Sequence, residues 1–257
     1  MIMVKSSIIK FGIYSLLNNP SMLGSLFSGN FDEMYCKYWK NKLKESSKYE
    51  NNFSGNEKKN IMDGIVETNR QILNKKNSTI EAFYIPLYWL IRKTNPDIII
   101  ETGVHRGVSS LFILQALHEN NKGKLFSIDL PQAKYEQDNK DYTKSVLSTD
   151  KIGICIYPEL KKRWTLILDN SKKELPKLLE RLSSIDIFLH DSQHTYKHMK
   201  WEYETVWPYI KNNGMLLSDD TNWSMGAFDE FAKKNGSYNI QLRRDGRSQE
   251  TFGMITK

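Results

Sequence analysis

Short runs of consecutive apolar residues alternate with helical patterns over the last two thirds of the chain. The runs cover residues 97–101, 124–128, 164–168, 185–189 and 215–218. Continuous apolar runs, rather than alternating ones, are typical of strands buried on both faces of a parallel sheet. Helical patterns lie near residues 107–119, 171–182, 195–211 and 225–234, with a helix end predicted at Gly214. The pattern therefore predicts an α/β fold with a doubly wound sheet.

The two ends of the chain predict further elements outside this alternating pattern. Residues 238–244 and 251–257 read as two strands joined by a turn, DGRS. They predict a terminal antiparallel hairpin, which makes the sheet mostly parallel and seven-stranded. Earlier helical patterns lie at residues 4–17, 32–47 and 57–75, without obvious chemistry. We therefore expect a helical N-terminal appendage over residues 1–80, serving as a cap, in substrate binding or in oligomerisation. A Rossmann-like domain is expected over residues 81–257.

Composition and charge narrow the function classes. The net charge is +7, but residues 1–80 carry 12 Lys/Arg against 7 Asp/Glu, so the rest is nearly balanced. Without a dense basic block, a nucleic-acid partner is not expected. No apolar run is long enough for a transmembrane segment. Cys36 and Cys155 show neither a disulfide framework nor metal-ligand spacing, which predicts reduced cysteines and a cytoplasmic protein. The amphipathic amino-terminal helices are compatible with a homodimer.

The first predicted strand runs into a glycine turn, ETGVHRGVSS, at residues 101–110. Gly103 and Gly107 would let backbone N–H groups and a helix amino terminus approach a ligand closely. Glu101 would repel a diphosphate but suits a ligand with an ammonium group, and the glycine spacing is not that of dinucleotide enzymes. Asp129, at the tip of the second strand, is placed to accept two ribose hydroxyls; the alternative is a turn or helix-cap aspartate.

Acidic residues also follow the fourth and fifth predicted strands. Asp191 lies in FLHDSQHTY, residues 188–196, and Asp219 and Asp220 lie in LLSDDTNW. Strands one, four and five are neighbours in a doubly wound sheet, so these carboxylates should converge on one rim. Clustered carboxylates repel one another unless they are protonated or a cation neutralises them, and oxygen ligands favour Mg²⁺, Mn²⁺ or Ca²⁺ over zinc. The alternative is that they are polar turn residues or helix caps.

His194 follows Asp191 by three residues, near the start of the next helix. Its side chain has an ordinary pKa that suits proton abstraction near neutral pH, so it is the candidate catalytic base, with a polar helix-start residue as the alternative. His198 lies one helical turn further on, but the glutamate of an H-E-x-x-H zinc helix is missing. We expect His198 to be structural or exposed.

These motifs resemble known methyltransferases. Glu-x-Gly-x-x-x-Gly followed by a strand-two acid is similar to the cofactor site of class I S-adenosylmethionine-dependent methyltransferases. D-S-x-H-T-Y followed by a helix, N-G, an apolar strand and D-D resembles the metal-dependent macrocin-type sugar O-methyltransferases over residues 81–257. The cofactor contacts that this resemblance implies are Glu101, Gly103, Gly107, Ser109 and Asp129. Asn170 and His190 are added as residues near the cofactor.

The resemblance also implies a reaction. Asp191, Asp219 and Asp220 would bind Mg²⁺ or Mn²⁺, and His194 with Asp191 would act in catalysis. The chain would transfer a methyl group from S-adenosylmethionine to a hydroxyl of a small molecule, a sugar or another vicinal diol. Two alternatives stay open: another reaction on the same fold, such as N-methylation or hydroxylation, and a non-catalytic scaffold that binds the cofactor. Asp169–Asn170–Ser171 departs from the G-D-S segment frequent in the family, which weakens the assignment of Asn170.

Overall fold

The computed structural model describes most of the chain. The described residues are 31–75, 81–132, 147–224, 226–235, 238–243 and 251–257. The α-helices of this part are α1 Phe31–Lys44, α2 Lys58–Leu73, α3 Glu81–Thr94, α4 Val108–Glu119, α5 Ser171–Leu182, α6 Tyr196–Val206 and α7 Ala227–Asn235. The helix predicted at 4–17 and the DGRS turn lie outside the described residues. Within them, no helix combines the length and apolar character needed to cross a membrane.

The strands form one seven-stranded sheet. They are β1 Ile98–Thr102, β2 Lys124–Asp129, β3 Trp164–Leu168, β4 Ile185–His190, β5 Ile210–Ser218, β6 Tyr238–Arg243 and β7 Thr251–Thr256. The spatial order is β3-β2-β1-β4-β5-β7-β6. The first five strands pair in parallel, whereas β7 runs antiparallel to both β5 and β6. The doubly wound sheet with its terminal hairpin is therefore confirmed.

Successive residues of each central strand belong to different cores. Ile99 and Leu189 pack with α1, α2, α3 and α4, whereas Ile100 and Phe188 pack with α5, α6 and α7. Side chains alternate between the two faces of a strand, so a continuous apolar run is what a sheet covered on both faces requires. The same alternation places Glu101 toward α4 and Thr102 toward α6.

The helix predicted over residues 195–211 is shorter than expected. The helix α6 ends at Val206, a 3₁₀ turn spans Trp207–Tyr209, and β5 begins at Ile210. Pro208 explains the early end, because proline has no N–H to continue the helical hydrogen bonds. Gly214 is therefore not a helix end. It lies inside β5, where a Cβ atom would come within 2.6 Å of the Asp186 carbonyl oxygen.

The amino-terminal helices share a core with the sheet. Met34, Tyr38 and Trp39 of α1 belong to the same buried cluster as Phe112 of α4 and Leu125 of β2. The rings of Trp39 and Phe112 lie 6.3 Å apart in an edge-to-face arrangement. The hydrophobic core therefore continues across residue 80, the boundary expected from the sequence.

Cys36 and Cys155 form a disulfide, so the prediction of reduced cysteines is wrong. The bond joins α1 to the segment between β2 and β3, across 119 residues of sequence. Spacing alone could not reveal this pair, because only the packing of α1 against the sheet domain brings the two residues together. The disulfide removes the support that reduced thiols gave to a cytoplasmic location.

We expect the disulfide to contribute to stability by restricting the unfolded chain. Reduction should lower the free energy of unfolding by about 2–5 kcal/mol, the usual range for long loops. Urea denaturation with and without a phosphine reductant measures the change. The double variant C36S/C155S should show no response to reductant. Equal unfolding curves for the reduced and oxidised native protein would contradict a stabilising role.

Candidate active site

The carboxyl ends of three parallel strands are tied together by their backbones. The Asp191 N–H donates to Thr102 O at 2.8 Å, and the Asp219 N–H donates to His190 O at 2.9 Å. These bonds place the residues that follow β1, β4 and β5 along one rim. Open α/β sheets bind ligands at this edge, so the rim predicted from the sequence is formed.

The glycine turn after β1 packs tightly against its neighbours. Gly103 and Gly107 have φ of +85° and +81°, in the left-handed region that glycine tolerates. A Cβ on Gly103 would lie 1.9 Å from the Asp191 carbonyl oxygen, and a Cβ on Gly107 would lie 2.9 Å from Gly153 Cα. Both glycines are thus required by contacts within the protein. In particular, Gly103 brings the predicted cofactor turn against the loop that carries Asp191.

Glu101 is fully buried beneath this turn. Its carboxylate accepts hydrogen bonds from the hydroxyls of Ser109 and Ser110, both at 2.5 Å, and of Ser127 at 2.9 Å. Burial raises the pKa of Glu101 to about 7, although the three serines oppose the shift. The carboxylate joins β1, the first turn of α4 and β2. Ser109, which the sequence predicted as a cofactor contact, donates its hydroxyl hydrogen to Glu101.

The side chains of two further predicted cofactor residues accept hydrogen bonds from backbone N–H groups. The Asp129 Oδ2 atom accepts from the N–H groups of Val104 at 2.6 Å and His105 at 2.8 Å. Asp129 therefore holds the glycine turn from the tip of β2, beside the position expected for ribose hydroxyls. Asn170 caps α5, and its side-chain oxygen accepts from the Lys172 N–H at 2.9 Å. Contacts of Asp129 and Asn170 with a cofactor stay predictions.

His194 lies between two of the predicted carboxylates. Its Nε2 atom is 3.7 Å from Asp191 Oδ1, and its Nδ1 atom is 3.5 Å from Asp220 Oδ2. The His194 side chain is 22% exposed, although its Nε2 atom is itself buried. Both carboxylates lie within 4 Å of the ring, a position that suits a group that takes up a proton.

Asp219 lies deeper than the other two aspartates and is 1% exposed. Because the ring of His194 separates Asp191 from Asp220, the three aspartates do not form a single carboxylate cluster. Within the described ranges, no group of three His, Cys, Asp or Glu side chains is placed to hold a metal ion. This arrangement does not fit the predicted three-aspartate magnesium site, and magnesium binding stays a prediction.

A buried glutamate that the sequence analysis missed lies below His194. Glu202 of α6 is 0% exposed, and its carboxylate accepts from His190 Nδ1 at 2.6 Å and His198 Nε2 at 2.9 Å. Burial acts to raise the pKa of Glu202, but the two histidines hold it well below its ordinary value. His198 is therefore buried and structural, one of the two outcomes expected. The i, i+4 spacing of His198 and Glu202 was the available signal.

The amino-terminal helix reaches the glycine turn, another connection absent from the sequence analysis. The Arg106 Nε atom donates to Asp32 Oδ1 of α1 at 2.7 Å. The Arg106 guanidinium also lies over the rings of Phe31 and Tyr35, 5.3 and 5.5 Å from their centroids. Next to Arg106, the Cys155 N–H donates to the Arg106 carbonyl at 3.0 Å. Residues before position 45 thus help to fix the turn.

The raised pKa of Glu101 predicts a pH-dependent stability. The folded chain keeps the proton up to about pH 7, whereas the unfolded chain loses it near 4.5. Stability from this group is full below pH 4.5 and is lost as the pH rises through 7. The loss should be on the order of 1–3 kcal/mol between pH 4.5 and 7.5. Urea denaturation over this range should show it in the native protein but not in Glu101→Gln. Equal pH profiles in the two proteins would refute the shift.

Comparisons with known proteins agree with this architecture. Residues 100–221 match a family model described as a methyltransferase domain. No curated protein matches the sequence. An O-methyltransferase from Bacillus cereus, solved with S-adenosylhomocysteine, aligns with 12% identity and a TM-score of 0.52, covering 76% of this chain and 90% of the other. TomG of Streptomyces achromogenes, an O-methyltransferase of tomaymycin synthesis solved with S-adenosylmethionine, aligns with 13% identity and a TM-score of 0.52, covering 77% and 89%. Residues 100–221, from β1 to just past β5, thus match a methyltransferase domain, and the described residues share their doubly wound fold with these two solved structures.

Proposed function

We propose that this protein is an S-adenosylmethionine-dependent O-methyltransferase acting on a small-molecule hydroxyl. The observation that carries the proposal is the position of His194 between Asp191 and Asp220, in the loop whose Asp191 backbone contacts the glycine turn. Gly103 of that turn contacts the Asp191 backbone, so the predicted cofactor site and the candidate base share one rim. The O-methyltransferases of similar fold, solved with cofactor or its product, support the same reaction.

The groups around the glycine turn fit the proposed cofactor. The turn presents two left-handed glycines and the amino terminus of α4, and Asp129 stands at the tip of β2. When bound, S-adenosylmethionine supplies a methyl group activated by its sulfonium. The protein must then position an acceptor oxygen in line with that carbon and exclude water.

His194 would make the acceptor oxygen nucleophilic. Its imidazole takes the proton of the acceptor hydroxyl as the new oxygen–carbon bond forms and the sulfur–carbon bond breaks. Asp191 and Asp220 stabilise the resulting imidazolium, because both carboxylates lie within 4 Å of the ring. No step of this scheme uses a metal.

Several finer statements remain predictions from the sequence. They are a sugar or other vicinal diol as acceptor, a requirement for Mg²⁺ or Mn²⁺, a homodimer, a cytoplasmic location and the absence of a nucleic-acid partner. The acceptor and the metal can be tested together with the reaction itself, because a diol would gain most from chelation by a cation.

The first experiment is calorimetric titration of the protein with S-adenosylmethionine in EDTA, followed by Mg²⁺ and a panel of sugar diols and catechols. Saturable cofactor binding and conversion of a hydroxyl acceptor to its methyl ether, detected by mass spectrometry, would support the proposal. Acceptor binding only with Mg²⁺ would support the metal requirement. A folded sample that binds no cofactor would refute the proposed function.

His194→Ala should reduce turnover by about 10²–10⁴-fold, because the proton acceptor is lost. Affinity for S-adenosylmethionine should stay within a few-fold of native, since the glycine turn and Asp129 are untouched. The control is His118→Ala at an exposed position in the last turn of α4, which should behave as the native protein. Loss of cofactor binding in His194→Ala, or undiminished turnover, would contradict the assignment.

A further inference from the structure

Glu202 is a carboxylate with no access to solvent. A buried charge is tolerated only when hydrogen bonds replace its hydration. Oε2 of Glu202 accepts from Thr102 Oγ1 and His190 Nδ1, both at 2.6 Å. Oε1 accepts from His198 Nε2 at 2.9 Å and Ser192 Oγ at 3.1 Å. A carboxylate offers about four acceptor positions, so these donors saturate it and leave none for a substrate.

The four donors come from the segments that frame the candidate base. Thr102 ends β1 directly before the glycine turn, and His190 ends β4 directly before Asp191. Ser192 lies in the loop that carries Asp191 and His194, and His198 lies in the first turn of α6. One side chain therefore connects both strand ends, the loop and the helix.

Hydrogen-bond chemistry fixes the orientation of the two histidines. An ionised carboxylate only accepts, so His190 carries a hydrogen on Nδ1 and His198 carries one on Nε2. The ring of His190 is held by Glu202 on one side and meets the ring of His194 edge-to-face, with centroids 5.4 Å apart. By fixing the ring of His190, Glu202 thus also restricts the position of the His194 ring, which lies between Asp191 and Asp220.

We propose that Glu202 is the positioning residue of this site, holding the 191–195 loop so that His194 stays between its two carboxylates. The inference rests on the proposed function in one respect, namely that His194 is the base. Glu202 itself does not contact substrate or cofactor, and it acts through Ser192, His190 and His198.

Glu202→Gln tests the proposal, because it keeps the size of the side chain but removes the charge and replaces one acceptor with a donor. The matched control is Glu204→Gln, an exposed glutamate on the same helix. Hydrogen exchange is read at two bonded amides of the loop, Asp191 and Thr195, and at the remote amide of Lys257. The two loop amides should exchange about 10-fold faster or more in Glu202→Gln, with Lys257 unchanged.

A second measurement monitors the His194 ring directly. The ring signals of His194, assigned by NMR with His194→Ala, should shift in Glu202→Gln and stay in place in Glu204→Gln. Turnover in Glu202→Gln should fall between about 10- and 100-fold with the KM for S-adenosylmethionine unchanged, because only the base is displaced. A merely structural glutamate would leave the His194 signals unchanged and alter both kinetic constants together.

Ser192→Ala keeps the proposal testable if Glu202→Gln does not fold. It removes only the longest of the four hydrogen bonds, and the same loop amides and ring signals should change by a smaller amount. The proposal is overturned if the Gln variants at 202 and 204 give equal local exchange and ring signals, or if exchange at Lys257 rises as much as in the loop. Absence of cofactor binding by the native protein would instead refute the proposed function, and the exchange and ring data would still decide the role of Glu202.

Discussion

The need to satisfy two fully buried carboxylates determines how the rim of this sheet is built. Glu101 and Glu202 lie on opposite faces of the sheet at the end of β1, and neither is exposed. Glu101 collects three serine hydroxyls from α4 and β2, and Glu202 collects two hydroxyls and two imidazoles around β4 and α6. Because a buried carboxyl group without hydrogen-bond partners is costly, every partner must keep its place, and the glycine turn and the His194 loop are held between these two networks.

The site also depends on residues far from it in sequence. Arg106 in the glycine turn is held by Asp32 of α1, and the disulfide anchors the same helix to the segment beneath Gly107. With the shared hydrophobic core, these contacts tie α1 to the glycine turn, where cofactor binding is proposed. Helix α1 thus helps to fix the glycine turn, a role that the sequence did not predict for the amino-terminal region.

The fold could be predicted from the sequence because strands buried on both faces leave continuous apolar runs, and parallel strands place their ends at one rim. Those two rules located Glu101, Asp129, Asp191, His194 and Asp220 in one region. The rules failed where long-range packing decides. Ser110, Ser127 and Glu202 have no local signature that distinguishes them from ordinary polar residues, and the Cys36–Cys155 pair exists only because α1 docks. Magnesium binding by the three aspartates stays a prediction, since a shared rim position does not fix side-chain direction.

The disulfide also makes a large part of the chain a closed covalent ring. Its two cysteines have a sequence separation of 119, and the ring contains α1 from Cys36 onward, α2 to α4, β1, β2 and the glycine turn. One cleavage of the backbone anywhere between Cys36 and Cys155 would leave both fragments joined. Since the two sulfur atoms come within bonding distance when α1 is seated on the domain, each molecule that carries the disulfide keeps this helix tethered to the domain.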